Sequence, residues 1–168
     1  MTGRGSGAAT TLHNAVEPLA FLLGRWAGEG EGSYPTIEPF AYGEEITVSH
    51  VGKPFLAYAQ RTWSLDDGRP LHAETGYWRC ASPTHAELVV AHPTGVVEVS
   101  EGPLSATSLV LSSRTVSGTG SAKAVTGLVR RITVADDRLD YQLDMAAVGV
   151  PLTNHLRASL RRMTAPPG

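Results

Sequence analysis

Between residues 25 and 147 the apolar positions fall in short runs of β-branched, aromatic and alternating residues, the period-two pattern of strands with one buried face. The runs lie near 25–31, 41–50, 55–65, 71–80, 86–92, 95–101, 104–113, 124–134 and 138–147. Turn-forming residues separate them: Gly52-Lys53-Pro54, Asp66-Asp67-Gly68, Ser82-Pro83, Pro93-Thr94-Gly95, Gly102-Pro103, Ser117-Gly118-Thr119-Gly120 and Asp136-Asp137. The longest break, near 114–123, reads as a mobile loop. Ahead of the strands the spacing turns helical. Asn14 is a candidate cap for a short helix through about Leu23, with Val16, Leu19, Ala20 and Leu23 on one face, Pro18 in the first turn and Gly24 at the end.

The segment 152–162 fits either a helix, through Leu152, His155, Leu156, Ser159 and Leu160, or a tenth strand. A tenth strand would pair with the first and remove two exposed edges, so the strand is favoured. The expected fold class is therefore all-β: about ten antiparallel strands in an up-and-down barrel, with a short N-terminal helix. A barrel of that size can enclose a ligand cavity. The 168 residues suit one domain. Residues 1–12 read as disordered, 13–163 as the barrel domain and 164–168 as a tail.

Composition narrows the function classes. Charged residues make up 18% of the chain, below the ~25% usual for soluble domains, and 18 Gly with 11 Pro supply the turns an all-β chain needs. A net charge of −2 and a pI near 6.3 argue against nucleic acid as a partner. The one basic cluster, Arg157, Arg161 and Arg162, reads as a solvated face. Cys80 is the only cysteine, which excludes an internal disulfide and a cysteine-based zinc site and suits a reducing, cytoplasmic setting. Met1 to Thr11 lacks the apolar run of a signal peptide, and Leu19 to Leu23 falls far short of the ~20 residues that span a membrane.

The run Gly24-Arg25-Trp26-Ala27-Gly28-Glu29-Gly30 is not a phosphate loop, because no Gly-Lys-Ser/Thr follows and Tyr34-Pro35 stands where a helix would begin. On a strand, Trp26, Gly28 and Gly30 share one face. The Trp then plugs one end of the barrel, and the glycines allow close approach of backbone or ligand. Among six histidines none forms a His-Glu-x-x-His motif. His72 and His92 lie on or beside strands and could face inward; His13 is expected in a floppy N-terminus and His85 in a turn. Glu44 and Glu45 must face opposite sides of a strand, so they cannot act as a pair. From the residues alone the reading ends at a small-molecule-binding β-barrel.

The motif Gly24-x-Trp26-x-Gly28-x-Gly30 resembles the G-x-W-x-G-x-G signature of the nitrobindins. Similar to that family, in order, are Tyr34-Pro35-Thr36-Ile37, Val51-Gly52-Lys53-Pro54, Leu71-His72-Ala73-Glu74-Thr75-Gly76-Tyr77, Ala91-His92-Pro93-Thr94-Gly95-Val96-Val97-Glu98 and Pro151-Leu152-x-x-His155-Leu156. The similarity runs from about Pro18 to Leu160. It implies a ten-stranded barrel like those of lipocalins and fatty-acid-binding proteins, holding one haem b at a mouth with His155 as iron ligand and catalytic residue. It also implies haem contacts from Thr36 and Lys123, the latter able to neutralise a propionate, and a cavity lined by Leu71, His72 and His92. The implied activity is isomerisation of peroxynitrite to nitrate by the ferric haem, with nitric oxide as a second small-molecule partner. No nucleic acid or membrane is implied, and a homodimer is compatible. The 114–123 loop matches no family pattern. The alternatives are a carrier of a fatty acid or other hydrophobic ligand and a ligand-free scaffold. His155 separates them, since a lipid carrier has no need of an imidazole there.

Overall fold

The computed structural model describes residues 10–164. A 3₁₀ helix (Asn14–Leu22) precedes ten strands: β1 (Gly24–Tyr34), β2 (Ile37–Ser49), β3 (Leu56–Ser64), β4 (Pro70–Ser82), β5 (His85–Ala91), β6 (Val96–Ser105), β7 (Ser108–Gly118), β8 (Val125–Ala135), β9 (Arg138–Ala147) and β10 (Val150–Arg162). Each pairs antiparallel with its neighbours in sequence, and β10 returns to β1, closing the barrel. The C-terminal segment is thus the tenth strand, with Gly28 opposite Leu160 and Gly32 opposite Leu156. Closure satisfies both edges that a nine-strand sheet would leave open. Among the described residues, no helix is long and apolar enough to cross a membrane.

Because every connection is a hairpin, the turns β1–β2, β3–β4, β5–β6, β7–β8 and β9–β10 gather at one end of the barrel. The helix closes the other end. It buries Val16, Leu19 and Leu22, a spacing of three, whereas the sequence reading placed Ala20 and Leu23 on the buried face. Three residues per turn is the 3₁₀ period, so the difference is one of helix type. Its cap is His13, whose Nδ1 accepts the Ala15 N–H at 3.1 Å, in place of Asn14. Leu12, in the segment expected to be disordered, packs against the core. Residues 1–9 and 165–168, parts of the expected disordered segment and tail, lie outside the described residues.

Trp26 is fully buried beneath this helix and donates Nε1–H to the Leu22 carbonyl at 2.9 Å. Arg162 stacks its guanidinium 4.1 Å from the indole and donates to the Leu23 and Phe21 carbonyls. Of the three arginines read as a solvated face, this one is a packing residue. Gly28 lets β10 approach closely: a Cβ there would meet the Ser159 carbonyl and the Leu160 backbone.

Two expected breaks are strand. Gly102 and Pro103 lie inside β6, where Gly102 faces the β7 backbone and Pro103 pairs with His85. Residues 114–118 of the expected loop belong to β7, where Thr115 and Val116 pair with Val99 and Glu98. Local turn propensity yielded in both places to cross-strand pairing.

Candidate functional site at the barrel mouth

The hairpin end opposite the helix collects the chemistry-bearing residues predicted from sequence. Thr36 is exposed in the β1–β2 turn, and Lys123 is exposed in the β7–β8 loop. His72 stands near the start of β4, His92 just beyond the end of β5, and His155 near the start of β10. Leu71 departs from expectation. It sits at the register shift between β3 and β4 and is 38% exposed, so it does not line the interior. Val89 and Val97 are exposed too, and Leu88, Val90 and Val96 take the inward positions.

His155 owes its position to a β-bulge. Asn154 pairs with Asp144 and Leu156 with Leu143, leaving His155 as the extra residue. Such a residue is released from the ladder and its side chain is re-aimed. The imidazole Nδ1 lies 3.0 Å from the Ser33 carbonyl on β1. A carbonyl can only accept, so in the neutral ring the proton sits on Nδ1 and the lone pair on Nε2. Two aromatic rings brace the imidazole edge-on, Tyr34 at 5.4 Å and Phe40 at 6.4 Å between centroids. Tyr34 is itself fixed: its hydroxyl accepts the Ala147 N–H at 2.9 Å and donates to the Met145 carbonyl at 3.1 Å. Phe40 lies over Gly32, where a Cβ would collide with its ring. The glycine-rich β1 therefore shapes one wall of the histidine.

A hydrogen-bonded imidazole with its second nitrogen free, at the rim of the barrel between two aromatic rings, fits a haem iron ligand. The wider interior does not fit a long ligand. The cavity bounded by Leu22, Ile46, Trp78, Ile132 and Leu139 has about 30 Å³ free, room for a few water molecules at most. An acyl chain has no space there, which weakens the lipid-carrier alternative.

A charged cluster fills the middle of the barrel. Arg130 is buried between Glu74 and Glu98, donating to the first at 3.0 and 3.1 Å and to the second at 2.8 and 3.2 Å. Burial pushes both carboxyls upward, but the Arg130 charge outweighs it and holds each below the ordinary range. Tyr58 donates to Glu74 at 2.9 Å and Ser100 to Glu98 at 2.6 Å. Glu44 accepts from Gln60 and Tyr141, each at 2.8 Å; burial still drives its carboxyl up to about 7. His72 is held below its ordinary value, chiefly by burial, and the charge of His155 contributes to that lowering.

The family model described as "THAP4-like, heme-binding beta-barrel domain" matches residues 15–162. This chain belongs to that family. It is 53% identical over 155 residues to Peroxynitrite isomerase 2 of Mycobacterium marinum, covering 90% of this chain and 96% of that protein. Peroxynitrite isomerase of Nocardia farcinica is 50% identical over 158 residues, covering 92% and 94%. The crystal structure of Rv2717c from M. tuberculosis superposes with a TM-score of 0.89 at 48% identity, over 92% of this chain and all of that one.

For this haem-binding barrel, sequence reasoning missed the buried Glu44, Glu74, Glu98 and Arg130. Strand parity carried the signal. Glu74 shares a face with His72 and Trp78, Glu98 with Val96 and Ser100, and Arg130 with Leu128 and Ile132.

Proposed function

We propose that this protein binds one haem b through His155 Nε2 and isomerises peroxynitrite to nitrate in the ferric state, with nitric oxide as a second ligand. The observation that carries the reading is the His155 Nδ1 contact with the Ser33 carbonyl at 3.0 Å on a bulge at the mouth. The names of the M. marinum and N. farcinica relatives support the reaction.

When bound, the haem supplies the iron at which peroxynitrite and nitric oxide react. Peroxynitrite and nitrate have the same atoms and the same charge, so the chain need supply no net electron or proton. Its work is to hold and shield. The Ser33 carbonyl keeps the proton on Nδ1 and makes Nε2 the more basic ligand. Tyr34 and Phe40 keep the ring from turning. The Lys123 ammonium would pair with a haem propionate, and the Thr36 hydroxyl would contact the porphyrin edge. Phe40, packed 6.4 Å from the imidazole, would keep water from the iron-ligand side of the group.

The test has two arms. Hemin added to the wild-type protein should give a stoichiometric Soret band, which His155→Ala should lose while keeping its β-sheet circular dichroism. A variant that titrates like wild type removes His155 from the role. In stopped flow, haem-loaded protein should speed peroxynitrite decay and protect added tyrosine from nitration. Decay no faster than with apoprotein, or acceleration without protection, overturns the isomerase assignment.

A further inference from the structure

We propose that His72, Glu74 and His92 form a second, non-haem site for a single zinc-class divalent cation. His72 and Glu74 are two residues apart on β4 and face the same way. Thr75 pairs with Ala91, so one more step of the same register sets His92 opposite Glu74. The turn after β5 holds His92 there: its N–H donates to the Val96 carbonyl at 2.9 Å, and its carbonyl accepts from Gly95 at 3.1 Å.

Three ligand atoms converge. His72 Nε2 lies 3.1 Å from His92 Nδ1 and 3.9 Å from Glu74 Oε1, and His92 Nδ1 lies 3.7 Å from the same oxygen. Tetrahedral bonds of ~2.0–2.1 Å set ligand atoms roughly 3.3–3.5 Å apart. The triangle matches that spacing to within about half an ångström. Two imidazoles and one carboxylate suit zinc, cobalt or nickel better than magnesium or calcium.

The surroundings add an independent observation. The His92 side chain is 9% exposed, and its Nε2 makes no hydrogen bond among the described residues. It lies 3.4 Å from Glu98 Oε2, poorly aligned for donation. A cation on Nδ1 fixes the proton on Nε2 facing that carboxylate, which is the carboxylate–histidine–metal arrangement that orients many zinc ligands. Charge points the same way. Among the described residues Glu74 and Glu98 share one buried guanidinium, Arg130, leaving one negative charge in excess. Arg130 is also the main cost, since its Nη2 is 3.0 Å from the same Glu74 oxygen. His72, with its side chain 32% exposed, opens the site to the mouth and leaves a fourth position for water or an anion.

The experiment uses full-length, chelator-treated, haem-free protein. Cobalt(II) titration should give the visible bands of four- or five-coordinate cobalt at one ion per chain. Zinc should displace it and raise the melting temperature. His72→Gln, at the partly exposed ligand, should weaken binding at least ~100-fold, and Glu98→Gln roughly 10–100-fold, as for loss of a partner behind a metal ligand. His155→Ala should bind cobalt like wild type, so failure of the haem assignment leaves this result untouched. No bands in the wild type overturn the proposal. So do bands that survive in a folded His72→Gln/His92→Gln variant, or bands that His155→Ala abolishes.

Discussion

Replacing Arg130 by Met tests the physical account of the barrel interior most directly. The guanidinium donates four hydrogen bonds to two carboxylates, at 2.8 to 3.2 Å, and is itself buried. Met fills similar volume but leaves Glu74 and Glu98 facing each other without a cation. Removing one partner of a buried ion pair costs ~3–5 kcal/mol. In a chain of this size each kcal/mol moves the melting point by roughly 2–4 °C, so a fall of about 6–20 °C is expected at pH 7. The pH dependence has a definite sign. In the wild type both carboxyls are held below the ordinary 4.5, so they bind fewer protons folded than unfolded. Their stabilisation is present above that value and is lost as pH falls. Without Arg130, burial raises both groups, and acid then favours the folded variant by neutralising them. Urea unfolding at pH 7 and pH 4.5 should show the gap between the two proteins narrowing in acid. A cost below about 1 kcal/mol at pH 7, or a gap that widens on acidification, would refute this reasoning.

Glu44→Gln should act in the opposite sense. Its carboxyl rises from 4.5 to about 7 in the fold, so wild-type stability declines as pH rises through that window. The variant should flatten the decline, by up to ~3 kcal/mol at ~1.36 kcal/mol per pH unit, in urea titrations from pH 4.5 to 8; parallel profiles would count against it. Trp26→Ala removes the plug beneath the helix and should cost ~3–5 kcal/mol by thermal unfolding, with hemin titration at the far end still stoichiometric. Lys123→Ala should weaken hemin affinity more at low than at high ionic strength, as expected for an exposed charge pair; a salt-independent loss would assign Lys123 another role.

Much of the barrel is legible along the chain because a strand repeats every two residues and punctuates itself with Gly, Pro and Asp. That local code places nine strands, and the exposed edges they leave favour 152–162 as the tenth. The motif order, from Trp26 to His155, is equally linear and carries the family. Pairing between distant segments is not local, and there the structure decided. Gly102-Pro103 and residues 114–118 look like turns until their neighbours draw them into β6 and β7. Three-residue helical spacing is visible in Val16, Leu19 and Leu22 only once the core they face is known. His155 is identifiable as a residue, but its tautomer depends on the Ser33 carbonyl, 122 positions away. The buried Arg130 has the same origin. Its neighbours along the chain say nothing of charge balance, whereas barrel closure brings Glu74 and Glu98, 56 and 32 positions away, to one point in a low-dielectric interior.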